Sequence, residues 1–223
     1  MIKILAYALY VFLFISKAYA ISEYRTIFQV DSGASYPGSL SGLWLGTSSS
    51  DSAIRDGSII DFWAESDFDH VRVSWIKNNQ EVQHIVLDKG TSNTDFFSFA
   101  GVRDSSWTDL YSSTNDFMGL TFPSLPSREF VIRKSSYGCA GDTYWALSIA
   151  TSGSGCAYDQ IRPFSTRLLY SSSSTASNIG ILSEADFLRM SIPAAVPLPA
   201  TAWLFCSSSI GLLFTRRYKY FKK

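Results

Sequence analysis

Through the middle of this 223-residue chain apolar and polar positions tend to alternate in twos, and the pattern gives way to long uncharged runs only near the two ends. Short segments rich in β-branched and aromatic residues are separated there by Gly, Ser, Asn, Asp and Pro. That is the pattern of strands joined by turns. Strands are predicted over residues 24–30, 39–45, 58–64, 70–76, 81–87, 95–99, 117–122, 129–134, 143–150 and 167–170. The clearest hairpin is Val71-Arg72-Val73-Ser74-Trp75-Ile76, a turn at Lys77-Asn78-Asn79-Gln80, and a return from Val82 to Leu87. Val71, Val73 and Trp75 share one face of such a strand, with Arg72 and Ser74 on the other. Helical spacing is read only at residues 184–190, where Ser183 would cap a short helix. The serine-rich stretch 171–178 reads as a flexible polar loop. Aromatic residues make up 15% of the chain, enough large side chains to fill the space between two sheets. No repeat at a fixed period points to a propeller or solenoid. The expected fold is all-β: an antiparallel β-sandwich of about ten strands.

The ends do not belong to that domain. Lys3 precedes an apolar run from Ile4 to Ile15, and Ala18-Tyr19-Ala20 places small residues at both cleavage-determining positions. Residues 1–20 therefore read as a secretory signal peptide. At the other end Ala200 to Phe214 is uncharged, about 22 Å of helix and short of the roughly 20 residues that a bilayer core prefers. Pro197 and Pro199 keep the segment before it extended. Arg216, Arg217, Lys219, Lys222 and Lys223 follow with no acid among them, which by the positive-inside rule leaves the C-terminus cytoplasmic. The expected organisation is a signal peptide at 1–20, an exported domain at 21–190, a proline-containing stalk and sorting motif at 191–199, a transmembrane helix at 200–215 and a basic tail at 216–223.

Val196-Pro197-Leu198-Pro199-Ala200, the apolar helix and the basic tail form a three-part signal. It resembles the VPLPA-CTERM variant of the PEP-CTERM family, and Ala202-Trp203-Leu204-Phe205 continues that family's usual wording. The resemblance covers the tail alone. It implies processing by an exosortase-type membrane transpeptidase in a Gram-negative envelope, after export through the translocon and signal peptidase. A sortase signal is the alternative, since Leu198-Pro199-Ala200-Thr201 begins like LPxTG, but Ala202 stands where that motif needs glycine. Cys206 and the serines at 207–209 depart from the family's apolar and glycine-rich helix.

Setting the ends aside changes the charge. The formal net charge is zero, from 19 basic and 19 acidic residues, yet seven of the cations lie in the two end segments. The exported domain keeps 12 against all 19 acids, a charge near −7. Nucleic acid is excluded as a partner, because its binding rests on phosphate neutralisation by Lys and Arg. Cys139 and Cys156 are expected to form a disulfide in an oxidising compartment, closing a loop of about 18 residues and contributing about 3 kcal/mol. Two free thiols are the other reading; Cys206 is a passive apolar residue of the tail.

Candidate chemistry is thin. No Gly-x-Ser-x-Gly elbow, His-Glu-x-x-His helix or phosphate loop is present. His70 and His84 read as strand residues with ordinary hydrogen bonds. Glu65, Asp67 and Asp69 recur at alternate positions, so an extended chain would present three hard oxygen ligands to Ca²⁺; a solvated face is the plainer reading, and no other cofactor is expected. Trp107 and Tyr111 fall in a polar stretch and are expected to be exposed rings on which a sugar face stacks, while at least three of the five domain tryptophans fill the core. The reading as a whole is a non-enzymatic exported protein of the cell surface or biofilm matrix. It is held first at the inner membrane, with exopolysaccharide as the candidate ligand. The alternatives are a secreted hydrolase of matrix polysaccharide and a plain membrane-anchored adhesin.

Overall fold

The hairpin sets the frame. Asn78 and Asn79 both take positive φ, 51° and 59°, the backbone of a two-residue turn whose twist suits antiparallel strands. In the computed structural model, described here for residues 24–110, 116–122, 125–135, 141–149 and 165–194, twelve strands, two short α-helices and two 3-10 turns (Phe99–Gly101 and Ile179–Ile181) are found among the described residues. The strands are β1 (Tyr24–Asp31), β2 (Ile54–Arg55), β3 (His70–Lys77), β4 (Gln80–Asp88), β5 (Val102–Ser105), β6 (Phe117–Phe122), β7 (Leu125–Ser135), β8 (Thr143–Ile149), β9 (Arg167–Tyr170), β10 (Ser177–Asn178), β11 (Ser183–Glu184) and β12 (Phe187–Pro193). The helices are α1 (Leu40–Leu45) and α2 (Gly57–Ile60). All strand pairs are antiparallel.

Two six-stranded sheets result. Sheet A runs β2-β1-β12-β3-β4-β5, and sheet B runs β11-β9-β8-β7-β6 with β10 beside β8. Val71, Val73 and Trp75 of β3 are buried as the alternation requires. They share one apolar cluster with Phe28, Leu188 and Met190 of sheet A and with Ile132, Trp145 and Leu168 of sheet B. A second cluster, from Val131, Tyr144, Leu147 and Leu169, lies on sheet B alone.

Four expected elements are corrected. Residues 39–45 form α1 rather than a strand: Ser39 stays extended and accepts the Gly42 N–H at 2.8 Å, and Gly46 at φ 74° ends the helix. Leu40, Leu43 and Trp44 stand at helical spacing and are all buried. Residues 58–64 hold α2 and a turn, because the Asp56 carboxylate caps Ser58. Residues 95–99 form no strand. Phe96 and Phe97 are buried one after the other, and Asp95 accepts the N–H groups of Thr91 and Ser92 to close a loop. The helix expected at 184–190 is instead β11 and β12. Leu188, Met190 and Ile192 alternate inward, which places β12 between β1 and β3 in the middle of sheet A. Ser191 to Pro193, expected as the start of the stalk, belong to that strand. Residues 171–176 form the expected polar loop, with Ser172 to Thr175 exposed, and Ser177–Asn178 are β10. Ser171 is buried, its hydroxyl bonds Thr175 O at 2.5 Å, and its carbonyl accepts from Gln83 and Trp107.

One buried carboxylate ties the helix to sheet B. Glu129 of β7 is 1% exposed and accepts the Leu40 N–H at 2.6 Å and the Ser41 hydroxyl at 2.7 Å. Burial pushes its carboxyl above the usual range, and the bonds from Ser41 and Leu40 oppose that only in part. Glu129→Ala leaves those buried donors without an acceptor, so chemical denaturation should show a loss of about 3 kcal/mol with an unchanged slope. Glu129→Gln should lose less, because one amide oxygen can still accept. Equal losses in the two variants would mean that the hydrogen bonds do not hold the helix.

Candidate functional site

The face of β3 opposite the core carries His70, Arg72 and Ser74, and antiparallel pairing brings others beside them. Ser74 lies opposite His84 of β4 and Arg189 of β12, while Arg189 lies opposite Gln29 of β1 and its Nε donates to the Gln29 side-chain Oε1 at 3.0 Å. A polar row therefore crosses four strands of sheet A, and both histidines of the chain fall on the same side of it.

Two connected clusters occupy this face. At one, the Tyr24 hydroxyl lies 3.2 Å from His70 Nε2, and His70 Nδ1 lies 2.6 Å from Asp69. Arg103 of β5 donates to Asp69 at 2.7 Å and also pairs with Asp88. Arg103 and His70 together hold the Asp69 carboxyl down at about 2. At the other, Glu81 accepts from Arg72 Nε at 2.9 Å and from the Ser74 hydroxyl at 2.6 Å, with His84 Nδ1 at 3.3 Å. Burial would raise the Glu81 carboxyl, but bonds from Arg72, His84 and Ser74 outweigh it and hold it far below the usual range. His84 is pushed above its ordinary 6.5, first by the Glu81 carboxylate and against its own burial, with Asp104 at 3.2 Å adding to the rise. Arg72 joins the clusters, its guanidinium lying 5.5 Å from the centre of the Tyr24 ring.

Ser106, His84 and Asp104 form a string of the residue types used in acyl transfer, with Ser106 Oγ 2.8 Å from His84 Nδ1. The same Oγ accepts the His84 backbone N–H at 2.9 Å, so this serine closes the β4–β5 edge. An open cleft of about 480 Å³ lies elsewhere, lined by Asp31, Ser32, Lys77, Glu184, Asp186 and Phe187 where β1 ends and β12 begins. Within it Glu184 accepts the Ser32 hydroxyl at 2.6 Å and Asp186 accepts the Asn78 N–H at 2.7 Å.

The residues singled out from sequence fare differently. Trp107 is a correction: it is 2% exposed, packs edge-on against Trp75 at 5.3 Å and donates its indole N–H to the Ser171 carbonyl. A ring enclosed in this way offers no face to a sugar. All five domain tryptophans are buried. Glu65, Asp67 and Asp69 are also corrected. They lie in a turn and the approach to β3 rather than an extended strand, and Asp69 is committed to Arg103 and His70. Among the described residues no group of three or more His, Cys, Asp or Glu side chains is placed to hold a metal ion. Tyr111, the Cys139–Cys156 pair, the signal peptide, the Val196–Ala200 motif, the apolar tail and the basic tail lie outside the described residues. Among those described, no helix is long and apolar enough to cross a membrane.

Sequence reasoning saw the two histidines as separate strand residues and missed that they share a surface. The even spacing of His70, Arg72 and Ser74, set against Glu81 and His84 across a turn, was the signal available. No protein-family profile, no curated protein and no solved structure matches this chain.

The two shifts at this face give opposite pH dependence. His84, raised in the folded state, stabilises fully below 6.5 and loses that contribution as pH rises through its folded value; Glu81, lowered, stabilises above the carboxylate range and loses it on acidification. Melting curves of His84→Gln should lack the part of the decline that the parent shows on going from below pH 6.5 into the alkaline range. Parallel curves for the two proteins would remove His84 from the account.

Proposed function

We propose that this chain is an exported, non-enzymatic protein of the cell surface or matrix, sorted through its C-terminal tail. The observation that carries the reading is Val196-Pro197-Leu198-Pro199-Ala200 followed by an uncharged segment and five cations. The proposed partners are the translocon and signal peptidase at one end and an exosortase-type transpeptidase and the membrane at the other. Residues Tyr24–Pro193 form a compact unit of their own, which suits a domain released from both end segments. Its first and last strand residues, Tyr24 and Pro193, are paired neighbours at one end of sheet A. The finer architecture proposed for it is a β-sandwich, supported by the core that sheets A and B share.

Exopolysaccharide is the proposed ligand class, and the outer face of sheet A is the favoured place for it. Tyr24, 36% exposed, stands there beside Arg72 and His70, which combines a ring with hydrogen-bonding groups. The disulfide between Cys139 and Cys156 remains part of the proposal, as the oxidising compartment favours it.

Intact-mass analysis of protein from its native host's envelope and medium tests the sorting. The expected species lacks residues 1–20 and ends near the motif at 196–200. A species still carrying Arg216 to Lys223 would leave a plain membrane-anchored protein instead.

One observation favours a second reading, a secreted hydrolase: the cleft that gathers Asp31, Glu184 and Asp186. Against it, Glu184 and Asp186 are already engaged, and Glu129, the acid that burial pushes up, is enclosed where no polymer reaches. Incubation with the host's extracellular polysaccharide should release no new reducing ends. Release that Asp186→Asn abolishes would install the hydrolase.

A further inference from the structure

Both ring nitrogens of His84 face carboxylates. Nδ1 lies 3.3 Å from Glu81, and Nε2 lies 3.2 Å from Asp104. A neutral imidazole carries one N–H and one lone pair, so it donates to one of the two and turns its lone pair toward the other. The imidazolium donates to both, and its bonds are strengthened by charge. Ser106 Oγ, 2.8 Å from Nδ1, can give a hydrogen to the neutral ring but leaves Glu81 facing the same nitrogen. The surroundings of the ring therefore fit the protonated form. Of the charged groups that face it, Glu81 of β4 and Asp104 of β5 favour the imidazolium, and Arg72 of β3 opposes it.

Two irregularities of register bring these groups to one face. In β4, Gln83 lies opposite Trp75 and Glu81 opposite Ile76, so Val82 is an extra residue. Glu81 and His84 are three apart and would otherwise point to opposite faces of the sheet. In β5, Asp104 lies opposite Val86 and Val102 opposite Leu87, so Arg103 is the extra residue. Two adjacent side chains thereby reach the same polar face, Arg103 to Asp69 and Asp88 and Asp104 to His84. Bulges re-aim side chains in this way and disrupt the ladder beside them. β5 is only four residues long, so side-chain ties hold a larger share of it than they do of the longer strands.

We propose that His84 is a proton-operated latch: with a proton bound, its ring ties β4 to β5 through Glu81 and Asp104, and loss of that proton loosens β5. The Glu81 carboxylate raises the ring above its ordinary 6.5 against its own burial, with Asp104 adding to the rise. The latch is therefore closed in mild acid and opens as pH rises through a value above 6.5. Its effect reaches the far end of the face through Arg103, the neighbour of Asp104 on β5. Arg103 holds Asp69, Asp69 holds His70, and His70 Nε2 lies 3.2 Å from the Tyr24 hydroxyl. Proton binding at one end of sheet A thus governs the arrangement of the side chains at the other. The latch stands on these contacts and not on the polysaccharide proposed for the face or on the sorting of the tail.

The test is NMR on the full chain in non-ionic detergent, titrated from about pH 5 to about pH 9. It follows the His84 ring together with the hydrogen-exchange protection of the Ser106 amide, which donates to the His84 carbonyl at 3.0 Å. Protection corrected for the intrinsic exchange rate should fall about fivefold or more as the ring loses its proton, while amides of the central strand β12 keep theirs. His84→Gln should flatten the profile at Ser106, and His70→Gln should leave it in place. The titration of the unaltered chain decides the matter even where a variant fails to fold. A Ser106 amide that does not follow the ring, a fall that persists in His84→Gln or vanishes in His70→Gln, or an equal loss in β12 would each overturn the latch.

Discussion

The Glu129 carboxylate is the constraint on which much of the interior depends. An acid taken out of water costs several kcal/mol unless its acceptors are filled. Here a backbone N–H and a hydroxyl from the first turn of α1 fill them. Desolvation still outweighs those bonds, so the carboxyl is held above the usual range. The interaction matters through what α1 then positions. Trp44 on that helix meets Phe28 of β1 edge-on at 5.3 Å, and Phe96 and Trp63 at 5.3 and 5.7 Å. Its indole N–H reaches the Asn93 carbonyl at 2.6 Å, so the polar end of the ring is satisfied as well. Phe130, next to Glu129 on β7, touches both Phe28 and Phe97. One polar contact thus sets the depth of a ring cluster that spans from sheet A to sheet B.

The outer face of sheet A follows a different balance. Its ion pairs are partly exposed, and pairs of that kind add little to stability. Arg103 is shared between Asp69 and Asp88, and Arg72 is shared between Glu81 and the Tyr24 ring. Sharing fixes side chains that would otherwise move freely, so the face keeps a set arrangement of donors and acceptors at small energetic gain. That is the property a recognition surface needs, and it is separate from what holds the fold.

Strand alternation was legible wherever the two faces differ in polarity. The hairpin of β3 and β4, the whole of β6, and β9 stand as expected, because Val71, Val73 and Trp75 oppose His70, Arg72 and Ser74 without ambiguity. It failed where a short apolar run suits two periods. Leu40, Leu43 and Trp44 fit a helix as well as a strand, and the deciding features were the cap at Ser39 and Gly46. In the reverse case Ser183 looked like a cap, yet the alternation of Leu188, Met190 and Ile192 won because β12 is flanked by strands on both sides. The exposed-ring expectation for Trp107 failed for a related reason. Its neighbours are polar in sequence, but the indole reaches inward to a carbonyl 64 residues away, at Ser171. Long-range pairing of that kind leaves no local trace.

The burial of all five described tryptophans narrows what the domain can offer to a partner. Binding by a flat aromatic strip requires rings released from the core, and here the indoles of Trp44, Trp63, Trp107 and Trp145 all have acceptors that hold them inside. What the described part of the domain presents outward is then polar groups arranged on the outer face of sheet A, an ionic face whose donors and acceptors suit the hydroxyls and charges of a ligand.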